Sequence, residues 1–124
     1  MTERVLGIGG LFFRARDPKA LSEWYEAVLG INPVPSDYDQ PCWTQEAGET
    51  VYAPFAADTG YFGRPEQQWM VNLRVRDLAA MVAQVEAAGT RVTDEGTHPN
   101  GTFARFEDPE GNPIQIWQAV APPA

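Results

Sequence analysis

Leu11-Phe12-Phe13-Arg14-Ala15-Arg16-Asp17 recurs as Val71-Asn72-Leu73-Arg74-Val75-Arg76-Asp77, at an offset of 60 residues. Both runs place apolar residues at alternate positions and end in an aspartate, and a period of two belongs to a β-strand. The segments C-terminal to them repeat as well. After Asp17-Pro18 come apolar residues at Leu21, Trp24, Tyr25, Val28 and Leu29, then Gly30; after Asp77 come Leu78, Met81, Val82 and Val85, then Gly89. This is the spacing of an amphipathic helix. In each case the aspartate can accept from the amides of the first turn, Pro18 suits the first helical position, and the glycine supplies a left-handed exit. The chain therefore reads as a duplication whose halves each begin strand, then helix.

Outward from the helices both halves become extended. A short strand near Ile31 to Val34 precedes a hairpin of Cys42 to Gln45 and Thr50 to Phe55 around Ala47-Gly48. A strand near Arg91 to Thr93 precedes a hairpin of Thr102 to Glu107 and Ile114 to Gln118 around Asp108-Pro109-Glu110-Gly111-Asn112. The fold class expected is α+β, with two βαβββ modules, at about residues 5–57 and 68–119, in one domain spanning 1–124. Asp58 to Gln68, rich in Gly, Pro and aromatic residues, links them. One module cannot bury its helix and close both faces of its own sheet, so the two should associate.

With 124 residues and 44% hydrophobic content, one core suffices without staples. A net charge of -8 argues against nucleic acid and anionic membranes as partners, since both need basic patches, and weakly favours cationic ligands, although the plainer reading is that the acidity maintains solubility. Cys42 is the sole cysteine, which rules out an intrachain disulfide and suits a reducing cytoplasm; it is expected as a half-buried small hydrophobe. The first residues, MTERVLGIGG, hold no signal-like apolar run, and no segment reaches membrane-spanning length, so a cytoplasmic location is expected. Asn100-Gly101 reads as a turn rather than a glycosylation site.

Parity then sorts the faces. Leu11, Phe13 and Ala15, with Val71, Leu73 and Val75, are apolar throughout and should meet the helices, as should Ile114 and Ile116. The opposite face receives Gly10, Phe12, Arg14, Met70, Asn72, Arg74, Gln115 and Trp117, and counting from Gly48 adds Tyr52. Phe12, Tyr52, Met70 and Trp117, with Asn72 and Gln115 as hydrogen-bonding groups, form a surface suited to a small molecule, or alternatively to a protein partner. Arg14 and Arg74 could clamp an anion, although the plainer reading pairs them with surface glutamates.

FFRARDPKALSEWYEAVLGI, VNLRVRDLAAMVAQVEAAGTRV and FARFEDPEGNPIQIWQ together resemble the vicinal oxygen chelate superfamily, which includes glyoxalase I, bleomycin-resistance proteins and extradiol dioxygenases. The resemblance spans nearly the whole chain. It implies paired modules curling as a curved mixed sheet around a cleft, usually in a homodimer. It also implies metal-ligand positions on the first and last strands of each half, which fall on Gly10, Met70, Tyr52 and Gln115. There the sequence departs from the catalytic members, which place histidine or glutamate at such positions. Glycine has no ligand atom, methionine suits hard ions poorly, Gln115 offers a neutral carbonyl, and Tyr52 would have to ionise.

His98, the sole histidine, is expected on an exposed turn away from all four positions. Ser22 on a helix and Ser36 in a Pro-rich loop do not suggest a hydrolase triad. Gly7-Ile8-Gly9-Gly10 lacks phosphate-loop spacing. Glu107, Asp108 and Glu110 read as a solvated turn. The function expected is metal-independent binding of an aromatic or amphipathic small molecule in an apolar cleft, similar to the bleomycin-resistance branch, with no cofactor. The alternative is a lyase, isomerase or dioxygenase using an atypical metal set, such as Glu49 with Gln115, or metal-free acid/base catalysis.

Overall fold

Asp17 and Asp77 start the two helices as the sequence predicts. In the computed structural model, which describes residues 2–120, the Asp17 carboxylate accepts from the Ala20 amide at 3.1 Å and that of Asp77 from the Ala80 amide at 3.0 Å. The helices are α1, Pro18–Leu29, and α2, Leu78–Ala87. Helix α1 leaves through Gly30 at φ 72°, a left-handed conformation that costs a residue without Cβ nothing.

The second half forms the complete expected unit: β1 (Val71–Arg74), α2, β2 (Thr93–His98), β3 (Gly101–Glu107) and β4 (Pro113–Ala119). The strands lie in the order β1-β4-β3-β2, with β1 parallel to β4 and the other pairs antiparallel. Alternation along β3 and β4 sends Ala104, Phe106, Ile114 and Ile116 to the helical face, where they are buried with Val85 of α2 and Val28 of α1. Val71, Leu73 and Val75 pack on this cluster, as their parity requires. Each of the fully buried Val, Ile and Phe side chains of this cluster contributes about 1.5–3 kcal/mol. Gln118, next on the same face of β4, accepts from the Leu78 amide at 2.8 Å and so adds a second cap to α2.

The turn at residues 108–112 joins the halves. Asp108 is buried and accepts from the amides of Glu110 and Asn112, at 2.9 and 3.0 Å, and from the Asn112 side chain at 2.8 Å. Tyr25 of α1 donates its hydroxyl to the same carboxylate at 2.7 Å. Burial, and then the Asp108 carboxylate, holds the Tyr25 phenol far above its ordinary range, so it remains a donor.

The first half differs from its twin. Among the described residues no strand precedes Val71, and residues 2–17 and 30–70 contain only turns, bends and unpaired chain. A helix satisfies its own backbone, whereas a strand needs a neighbour, and within one chain these segments find none. Many of their apolar side chains stay in solvent: Phe12 is 94% exposed and Tyr52 87%. Phe13 is a partial exception, with its ring edge-on to Tyr25 at 6.4 Å and 4.9 Å from the Trp69 ring. Cys42 is exposed rather than half-buried. Strand β2 extends well beyond Thr93 and carries His98 at its end, so that residue is not on a loop. Among the described residues no helix is long and apolar enough to cross a membrane.

Candidate functional site

The face of the sheet opposite the helices is where parity brings polar and aromatic side chains together. Register pairs Asn72 of β1 with Gln115 of β4, Gln115 with Arg105 of β3, and Phe103 of β3 with Trp117 of β4. Side chains of paired residues project to one side, so these five share the open face. Asn72 donates to the Gln115 side-chain carbonyl at 2.6 Å. That bond orients the Gln115 amide, whose Nε2 donates to the Tyr61 hydroxyl at 2.9 Å and to Glu95 Oε1 at 3.0 Å. The Tyr61 hydroxyl in turn donates to the same Glu95 oxygen at 2.8 Å. The opposite orientation of Gln115 would aim its carbonyl at a carboxylate, so the arrangement is fixed by charge as well as geometry.

Glu95 reaches this face through a bulge. Asp94 pairs with Ala104 and Gly96 with Phe103, which leaves Glu95 as an extra residue on β2. The Asp94 carboxylate accepts from the Gly96 amide at 2.8 Å, and Gly96 takes φ 85°. Tyr61 comes from the segment between the halves. Its ring stacks on Phe55 with centroids 6.0 Å apart, and the Arg105 guanidinium lies 4.8 Å from its centroid while donating to its backbone carbonyl. Burial first, then the hydrogen bond to Glu95, raises the Tyr61 phenol above its ordinary value, keeping it protonated and donating.

Tyr61, Glu95, His98, Phe103 and Gln115 line an open cavity of about 290 Å³. His98 Nε2 lies 2.9 Å from the Glu95 backbone carbonyl, which can only accept, so this nitrogen carries the proton. His98 thus shares a cavity with Gln115, contrary to its expected separation. Trp117 is only 5% exposed; its indole N–H donates to the Asn100 carbonyl at 2.9 Å and its ring stacks on Phe103 at 6.0 Å and 4°. It backs the site rather than forming its surface.

The other predicted positions lie elsewhere or stand alone. Met70 is half-buried just before β1, while Phe12 and Tyr52 stand in solvent. Arg74 donates to the Glu46 carbonyl at 2.7 Å, a backbone oxygen rather than a glutamate side chain. Arg14 lines a separate cavity of about 280 Å³ with Arg16, Arg64 and Glu110 beside the 108–112 turn, so the two arginines form no common clamp. Alternation along β3 supplies Phe103 and Arg105, whereas Tyr61, Glu95 and His98 are not singled out by parity. The glycine inside T-D-E-G-T-H is the signal that a bulge sits there and turns Glu95 inward.

The residues present do not fit the metal centre that the resemblance implies. Gln115 directs its amide nitrogen, a donor, toward Glu95 and Tyr61, and its carbonyl is taken by Asn72. Among the described residues no three histidine, cysteine, aspartate or glutamate side chains are grouped to hold an ion.

The chain matches the Glyoxalase-like domain family over residues 10–117. No curated protein matches. Among solved structures, an integron cassette protein from V. cholerae is similar at TM-score 0.57 and 19% identity, covering 94% of this chain and 100% of that one. TnmS3, an antibiotic binding protein from Streptomyces sp. CB03234, is similar at TM-score 0.53 and 23% identity over 84% of this chain and 88% of that one. A glyoxalase/bleomycin resistance protein from the same organism is 33% identical over 44% of this chain, which spans only 48% of that one, at TM-score 0.39. The first two likenesses concern the fold alone.

Proposed function

We propose, from the premise that the chain belongs to the Glyoxalase-like domain family, that it binds an aromatic or amphipathic small molecule on the open face of the sheet without a metal ion. The observation that carries this reading is the hydrogen-bonded row Gln115–Tyr61–Glu95, oriented from outside by Asn72, which lines one cavity together with Phe103. A few oriented polar groups set among aromatic rings are what a specific small-molecule site requires. Metal independence is supported by the donor set, because a neutral amide held by three hydrogen bonds is a poor ligand for a hard cation.

The proposal includes a homodimer with paired βαβββ modules, in which the exposed apolar segments of the first half find strand partners and close the cleft around the ligand. Phe12, Tyr52 and Met70 would then line it. It also includes a cytoplasmic setting, where the exposed Cys42 stays reduced, and neither nucleic acid nor membrane as a partner, in keeping with the charge of -8. Antibiotic binding, the property stated in the name of TnmS3, recommends antibiotics among the compounds to try.

The test is a thermal-shift screen of aromatic metabolites, cationic glycopeptides and acyl compounds. A ligand should raise Tm, and Phe103→Ala should weaken its binding by about 1–3 kcal/mol, or roughly 5- to 150-fold in Kd. Unchanged affinity in that variant would remove the site from this face. Stoichiometric zinc, nickel, manganese or iron in untagged protein would overturn metal independence. A second reading, metal-free acid/base catalysis, is favoured by the Tyr61–Glu95 contact of 2.8 Å, which places a protonated phenol against a carboxylate. It requires turnover of a bound compound that disappears in Glu95→Gln.

A further inference from the structure

The polar groups of the cavity can be followed donor by donor. Asn72 donates to Gln115, Gln115 donates to Tyr61 and Glu95, and Tyr61 donates to Glu95. The chain of donors ends at this carboxylate, where the bonds from Gln115 and Tyr61 both fall on Oε1. Among the described residues Glu95 Oε2 accepts from no protein group. It is also in contact with solvent, since among the described residues no side-chain oxygen or nitrogen is both buried and unpaired. The cavity therefore presents one unengaged group of formal charge, an acceptor, in a lining that also includes the aromatic side chains of Phe103 and Tyr61.

The cations nearby do not satisfy it. Arg105 is occupied by the Tyr61 ring and carbonyl and does not line the cavity, Arg74 is bonded to Glu46, and no ion pair joins Glu95 to any described residue. His98 spends its Nε2 proton on the Glu95 backbone carbonyl. The overall charge of -8 adds a field that draws cations toward the molecule.

We propose that Glu95 anchors a cationic nitrogen borne by an aromatic ligand, so that the site selects aryl-alkyl amines over neutral or anionic compounds of the same shape. The inference rests on the reading that this face binds a small molecule and specifies that ligand's chemistry. The ring lies in the cavity beside Phe103, and the ammonium donates to Oε2 while the Tyr61 and Gln115 donors hold the carboxylate in place. A carboxylate already oriented by two donors loses little freedom when it binds, which is why the network matters to affinity.

The probes are tryptamine, 3-ethylindole and indole-3-acetate, measured by titration calorimetry at pH 7 and followed in amide-detected NMR spectra. Tryptamine is expected to bind at least about tenfold more tightly than 3-ethylindole, with indole-3-acetate weakest. Glu95→Gln, which keeps the shape, should bring tryptamine and 3-ethylindole to within about threefold of each other. As a measurement independent of any variant, added salt should weaken tryptamine binding to the native chain and leave 3-ethylindole unaffected. Equal binding of the two indoles by the native protein, or a preference that survives Glu95→Gln, would overturn the anchor while leaving small-molecule binding intact. If neither indole binds at up to about 5 mM, both the anchor and the underlying reading fail.

Discussion

Glu110 lays its carboxylate across the amides of Arg16 and Asp17, at 2.6 and 3.0 Å, at the entrance to α1. The two backbone donors, Asp17 first and Arg16 second, hold its pKa below the ordinary 4.5, and the Arg16 guanidinium at 3.9 Å adds to the effect. In the window between the folded and the unfolded value the unfolded chain holds more protons, so stability rises with pH there. The contribution is complete above the unfolded value and is lost as pH falls through the folded one. Glu110→Gln should therefore lower stability against urea at pH 7, and the gap from the native chain should narrow as pH falls below the ordinary 4.5 and close below the lowered folded value. A gap independent of pH would show that the contact acts by shape rather than charge. The residue is visible in the sequence, but only as one of three acids in a solvated turn. Its partners lie more than ninety positions away, and local pattern says nothing about contacts at that distance.

The elements show where sequence patterns suffice and where they stop. Asp77, the apolar spacing to Val85, Gly89 and the Asp108–Asn112 turn locate α2, β3 and β4 to within a residue or two, because capping, helical period and turn chemistry act over a few positions. The same signals in the first half locate α1 and fail for every strand, since a strand exists only against a neighbour and the neighbour is not written in its own residues. For the site, parity alone places Asn72 and Gln115 together, and they meet at 2.6 Å. It could not supply Glu95, because a bulge adds one residue and breaks the count, nor Tyr61, because a turn-rich segment has no period to count. The hairpin from β2 to β3 adds a test. Gly101 pairs with His98 at φ 143°, and a Cβ there would meet the Gln118 carbonyl and, at 2.6 Å, Trp117 Nε1. Neither a backbone carbonyl nor a stacked indole can yield easily. Gly101→Ala should cost about 2 kcal/mol or more and lower Tm by roughly 6 °C or more. An unchanged Tm would contradict this close approach of β3 and β4.

At the scale of the whole molecule, apolar surface is unequally distributed. The second half buries Ile114, Ile116, Phe106 and Val85 almost completely, whereas the first leaves Val5, Leu6, Phe12, Val34, Val51 and Tyr52 in water. A monomer rarely keeps so many large apolar side chains exposed, and the outer edge of β1 also offers unpaired backbone groups, since β1 bonds only to β4 among the described strands. Two copies can resolve both problems at once if the extended segments of one chain pair with the sheet of the other. The repeat supplies the means, because residues 11–17 have the alternation of residues 71–77 and can take the same place beside a strand. Light scattering after gel filtration should then give twice the 13.7 kDa chain mass. Phe12→Asp, which charges a side chain already in solvent in the single chain, should cost that chain little, so a shift toward monomer in this variant would locate the interface on the first half. A native protein that stays monomeric at about 100 μM, far above the Kd of ordinary stable dimers, would show that the exposed segments are not held by a second copy.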